Sequence, residues 1–134
     1  MTSAEELQRL FYTTLTGNAA IMAIANNVYD HVPTSPYGSK TAYISFGGYD
    51  ASPDDADCID GIRATLQVDI WSRTPGTVEC KTLTDLVRKA LNHQSLALSE
   101  HALVDTRVEI WRVIPNPGSD HHGVVQVSVL IEEH

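Results

Sequence analysis

The sequence predicts an α+β fold: a mainly antiparallel sheet of about four strands with two or three helices packed on one face. Three observations predict it. From Gly61 to Arg73 apolar and polar residues alternate strictly, as in a strand with one face on a core. After a Thr74-Pro75-Gly76 turn the pattern changes to the period of an amphipathic helix, reaching Asn92. Two further alternating runs, His101 to Ile114 and Val124 to Glu132, flank a Pro-Asn-Pro-Gly loop as the arms of a hairpin would.

Taken in order, Ser3 opens the first helix, and Ser3-Ala4-Glu5-Glu6 fits the capping box that satisfies exposed N–H groups. Leu7, Leu10, Phe11 and Leu15 share one side of it. Gly17 suits the position just past its end, and Asn18 can cap a short second helix, Ala19 to Ala25, which Asn26-Asn27 stops. Val28 to Val32 suggests a short strand, and Pro33 to Gly38 a loop. Thr41 to Gly47 is a strand in which Ala42, Ile44 and Phe46 alternate with Tyr43 and Ser45. Gly47-Gly48 ends or bulges it.

Tyr49 to Asp60 carries Asp50, Asp54, Asp55, Asp57 and Asp60 around Pro53, and reads as a mobile loop. Like charges with few apolar anchors cannot offset ordering entropy. In the next strand Ile62, Ala64, Leu66, Val68 and Ile70 face inward. Arg63, Thr65, Gln67, Asp69, Trp71 and Arg73 face outward. Thr77 is placed to cap the following helix. Leu83, Leu86, Val87, Ala90 and Leu91 make its stripe, and Arg88 and Lys89 suit the negative end of its dipole. In the run from His101, Val104, Thr106, Val108 and Ile110 are expected inward, and Asp105, Arg107, Glu109 and Trp111 outward. In the last strand Val125, Val127, Val129 and Ile131 face inward, and Gln126, Ser128 and Glu132 outward.

At 134 residues the chain is expected to form a single domain, 1–134. Its 17 acids against 9 bases give a net charge of −8, which disfavours nonspecific binding to nucleic-acid phosphates. There is no apolar run of membrane-spanning length, and MTSAEEL does not read as a secretory signal. Cys58 and Cys80 are too few for a disulfide scaffold and read as free thiols.

No motif for chemistry stands out. The spacing of Asp50, Asp54, Asp55 and Asp57 does not match a calcium loop. Asp120-His121-His122 invites a metal reading, with His31, His93 and His101 elsewhere, but adjacent histidines on extended backbone point apart. Cys80, in the first turn of a helix, could be an activated thiol, yet nothing brings it a base. No catalytic residue, metal ligand or cofactor is assigned.

The order of parts resembles the phage tail completion, or tail terminator, family. The likeness runs from LQRLFYTTLTGN and AAIMAIANNVYDHVP through PYGSKTAYISFGG. It continues through VDIWSRTPG with its helix VECKTLTDLVRKAL, then VDTRVEIWRV and HHGVVQVSVLIEE. The junction at VDIWSRTPG, with Trp71 and Ser72-Arg73 before the turn, carries most of it. The resemblance implies a structural virion protein, not an enzyme. It implies a ring, expected to be hexameric, that ends the tail tube and joins it to a head-side connector or stopper protein. DNA would pass through the ring without specific binding. The implied location is a phage virion or a phage-like gene transfer particle, assembled in the host bacterial cytoplasm. A small α+β enzyme or ligand-binding domain is the alternative.

Under that reading Arg63, Gln67, Asp69, Trp71, Arg73, Arg107, Glu109 and Trp111 are the candidate subunit or partner interface. The tryptophans are either interface anchors or rings packed within the monomer. Asp50, Asp54, Asp55, Asp57, Asp120, His121 and His122 are candidates for loops facing the lumen or a neighbouring ring.

Overall fold

In a computed structural model that describes residues 1–55, 60–92 and 96–133, the chain runs through three helices and five strands. They are α1 (Ser3–Thr16), α2 (Ala19–Ile24), β1 (Ala25–Tyr29), β2 (Ala42–Pro53), β3 (Asp60–Ser72), α3 (Val78–Leu91), β4 (Ala102–Ile114) and β5 (His121–Glu133). One sheet has the order β1-β2-β3-β5-β4. It is antiparallel except for β1, which lies parallel to β2. The α+β class is therefore as the sequence predicts. The fifth strand, β1, is the short strand suggested at Val28 to Val32, displaced to Ala25–Tyr29 because α2 ends at Ile24 and Asn26-Asn27, expected as a stop, fall within it.

β3 is central and pairs with β5 over its whole length, from Asp60↔Glu133 to Ser72↔His121. That is why its alternation is the cleanest in the chain. Its inward residues Ala64, Leu66, Val68 and Ile70 are buried, as are Val125, Val127, Val129 and Ile131 of β5. Leu7, Phe11 and Leu15 of α1, Ile21 of α2, and Leu83, Val87 and Leu91 of α3 complete one core. Each such side chain contributes about 1.5–3 kcal/mol on burial. Cys80 is also fully buried in that core, and burial pushes its thiol pKa up, the reverse of an activated nucleophile.

Two of the three helix caps differ from the sequence reading. Thr2, not Ser3, caps α1: its Oγ1 accepts from the Glu5 amide at 3.2 Å. Asn18 caps α2 as expected, accepting from the Ile21 amide at 3.1 Å. Thr77 makes no side-chain cap on α3. Instead the carboxylate of Glu79, in the first turn, accepts from Ser72 Oγ at 2.8 Å and Thr41 Oγ1 at 2.6 Å, tying α3 to β2 and β3.

Bulges account for the larger differences. The ladder between β2 and β3 shifts between Phe46 and Tyr49, so Gly47-Gly48 bulges the strand without ending it. β2 then continues to Pro53, where the sequence suggests a mobile loop. Asp50 is a strand residue opposite Thr65. In β4 the register shifts between Leu103 and Asp105 and again between Val108 and Ile110. Val104 and Ile110, expected inward, are 52% and 50% exposed. His121 and His122, expected in a loop, begin β5 opposite Ser72 and Trp71. Asp57, Cys58 and His93 lie outside the described residues.

A buried carboxylate fastens α1 to the start of β4. Glu6 Oε1 accepts from the Glu100 amide at 2.8 Å, and Oε2 lies 3.1 Å from His101 Nδ1. His101 Nε2 in turn faces Glu133 at 3.7 Å. Burial favours the neutral acid, but the Glu100 amide and the His101 side chain and amide outweigh it and hold the Glu6 pKa below its ordinary value. A depressed folded-state pKa stabilises the fold above the unfolded-state value, and this contribution is lost as pH falls through the folded one. Glu6→Gln should therefore lower the thermal midpoint at neutral pH and flatten its decline on acidification. Melting curves from about pH 7 to 3 read this out, and an unchanged acid slope would refute the role given to Glu6.

Candidate assembly face

The helices occupy one face of the sheet. On the other, a row of rings crosses four strands: Tyr29 of β1, Tyr43 of β2, Trp71 of β3 and His122 of β5. The register places them side by side, because Tyr43 pairs with Trp71 and Trp71 with His122. Trp71 and His122 stack with centroids 4.0 Å apart and planes within 5°. Tyr43 and Trp71 stack at 6.3 Å, and Tyr29 meets Tyr43 edge-on at 5.9 Å. Tyr37, from the loop before β2, packs on Tyr43 at 4.8 Å, and the Arg73 guanidinium lies 4.5 Å over the Tyr37 ring. Gly38 allows that loop its turn, with φ 58° beside the Asn26 side chain, which itself donates to Pro36 O at 2.9 Å.

Polar groups lock the row. Trp71 Nε1 donates to Ser45 Oγ at 3.1 Å. His122 Nε2 lies 2.7 Å from Asp69 Oδ1, which also accepts from Gln67 Nε2 at 2.8 Å. Gln126 Nε2 extends the chain to Gln67 Oε1 at 3.3 Å. Asp69 is buried, so this is a paired carboxylate inside the face rather than a free surface charge. Gly47 leaves room for it: a Cβ there would stand 2.5 Å from Asp69 Oδ2. Burial pushes the Tyr37 and Tyr43 hydroxyls above their ordinary pKa, and the Asp120 carboxylate adds to this. Both stay neutral at physiological pH.

Most of the predicted interface residues do share this face. Arg63, Gln67, Asp69, Trp71 and Arg73 lie on it, and Arg107 meets Glu109 on it at 3.1 Å. Arg63 pairs with Asp54 at 3.4 Å. Both pairs are exposed and contribute at most about 1 kcal/mol each. Trp111 is the correction. The second bulge of β4 leaves Glu109 without a ladder partner on β5, and Trp111 then pairs with the core-facing Val125. Its ring therefore turns to the helix side, where Arg88 of α3 lies 4.6 Å over it. The two tryptophans are on opposite faces.

The predicted loop residues divide similarly. Asp54 and Asp55 lie in the β2–β3 connection, where Asp55 Oδ1 accepts from the Gly61 amide at 3.1 Å. Asp120 lies beside Tyr37 and Arg73. His121 is buried, accepting from the Asn116 amide at 2.9 Å through Nδ1 and meeting Pro75 O at 3.3 Å through Nε2. The adjacent histidines do point apart. Among the described residues no three His, Cys, Asp or Glu side chains are placed to hold a metal. Among those residues no helix is long and apolar enough to cross a membrane.

Sequence reading missed Tyr43 as the partner of Trp71, and Tyr29 and Tyr37 as the rings packed on Tyr43 in turn. Pairing across strands depends on register, which a single strand's pattern does not carry.

The comparisons agree with this architecture. A family model described as "Tail completion protein gp17" matches residues 10–132. A chain in the solved structure "Virion of native gene transfer agent (GTA) particle" superposes with a TM-score of 0.82 at 22% identity, covering 96% of each chain. At that identity the likeness shows the fold. No curated protein matches the sequence.

Proposed function

Because the chain belongs to the tail completion protein gp17 family, a family of phage tail structural proteins and not of enzymes, we propose that it ends the tail tube and joins it to the head-side connector. In this reading several copies, six by expectation, form a ring around a channel through which DNA passes. The observation that carries it is the family match over residues 10–132, nearly the whole chain. The fold is compatible. A sheet with helices on one face has two unlike edges, β1/β2 and β4, and unlike edges suit the head-to-tail contacts of a closed ring.

Asp54, Asp55 and Asp120 are proposed to face the lumen or an adjoining ring, where carboxylates would repel phosphates and let DNA slide. A basic lumen in the assembled ring would refute that placement. Arg63, Gln67, Arg73 and Arg107, with the aromatic row behind them, are proposed to meet a neighbouring subunit or the connector.

The reading is tested by mixing the purified protein with its tail tubes and imaging the tube ends. Capped ends, and a ring-sized species in light scattering at high concentration, are expected. Tubes left uncapped at saturating protein would overturn the proposal. In the virus or particle itself, loss of the chain should leave heads and tails unjoined.

A further inference from the structure

On the helix side of β2, where β1 has ended at Tyr29, a groove of about 570 Å³ opens between α1 and the sheet. Its walls are Tyr12 of α1 and Phe46, Tyr49 and Leu66 of β2 and β3, with Glu5, Asp30 and Arg9 at its rim. Tyr12 and Tyr49 are 43% and 40% exposed over an apolar floor. At the opposite edge of the sheet β4 exposes Val104, Ile110 and Trp111, the last at 49%.

We infer that the α1–β2 groove of one copy receives Trp111 and the surrounding β4 edge of the next copy. This rests on the ring reading above and specifies its contact. Four observations support it. The two patches lie at opposite ends of the strand order, so the contact is head-to-tail and cannot be satisfied within one pair of like surfaces. Both belong to the same layer: the β4 bulge turns Trp111 to the helix side, and the β2 bulge does the same for Tyr49, which pairs with inward-facing Leu66.

Charge also matches. The groove rim has two carboxylates against one guanidinium, Glu5 and Asp30 against Arg9. Beside Trp111, Arg88 lies over the ring, and Arg88 and Lys89 both pair with Asp85, at 2.7 Å and 3.1 Å, a cluster of one net positive charge. The Lys89 side chain is 65% exposed, on the same layer as the groove. Finally, both sheet edges are bulged, which disfavours simple strand-to-strand addition and leaves side-chain insertion as the better contact. A large ring seated in a pocket is the usual anchor of such a contact.

The test places the photo-cross-linker p-benzoyl-L-phenylalanine at position 111 in the full chain, at high concentration and on tail tubes, with light scattering on the same samples. A covalent dimer joined through residues 4–12 or 46–49 of the second copy is expected. Oligomers that cross-link elsewhere, or give no covalent dimer, would overturn this pairing and leave the ring reading standing. Absence of any self-association, alone or on tubes, would overturn both. Independently, Lys89→Glu should weaken self-association about tenfold, and Glu5→Arg in the same chain should restore most of it. A double variant no better than the single one would refute the charge match.

Discussion

Gly123→Val is expected to unfold the protein, or to lower its thermal midpoint by about 10 °C or more. Gly123 lies in β5 between Ile70 of β3 and Val113 of β4, and α3 crosses directly over it. A Cβ at this position would collide with Thr84 Oγ1. It would also stand 3.1 Å from Ile70 Cβ and 3.3 Å from Cys80 Sγ, all of them in the core. Thr84 and Cys80 are on the buried face of α3, so relief requires lifting the helix from the sheet. Even Gly123→Ala should cost about 1–3 kcal/mol, and valine adds two more carbons to the same space. Urea unfolding of the two variants gives the comparison. A valine variant melting within about 2 °C of the parent would mean that α3 does not sit on this residue.

Trp71→Ala is expected to cost about 2–3 kcal/mol of monomer stability, from lost burial and from the ring contacts with Tyr43 and His122. It also removes the donor to Ser45 Oγ. Trp71→Phe keeps a ring in the row and loses that bond, and should cost about 1 kcal/mol. Trp111→Ala supplies the contrast, since that side chain is half exposed. Its variant should melt near the parent and associate about 30-fold more weakly per contact, the loss typical of a buried interface anchor. Thermal melts beside sedimentation of the three variants separate the roles. If Trp71→Ala keeps the parental midpoint while association fails, Trp71 is the interface anchor and the row is not what holds it.

The sequence made some of the candidate face legible and hid the rest. The outward residues of β3 were readable because that strand is paired on both sides, without a bulge against β5. Each residue from Arg63 to Trp71 therefore kept the parity its neighbours implied. The acidic stretch from Tyr49 was misread because composition was weighed there without its partner. β3 extends to Asp60 and offers a ladder that holds Asp50 and Pro53 in register despite their low strand propensity. His121 and His122 were misread for the same reason, since Ser72 and Trp71 pair with them.

What the sequence determined by itself is the set of elements, their order, and the inward stripes of β3, α3 and β5. These follow from local periodicity and from the free energy of burying one face. Its whole-chain pattern also identified the tail completion family, to which residues 10–132 belong. Tertiary structure alone decided which face Tyr49, Ile110 and Trp111 occupy. A bulge adds one residue to a strand of period two, so every later side chain changes sides. Whether that residue is inserted depends on hydrogen bonds to a distant partner strand. The consequence is largest at the tryptophans. By sequence Trp71 and Trp111 share a face, and in the fold one completes an aromatic row on the open face while the other stands at the opposite edge beside the helices.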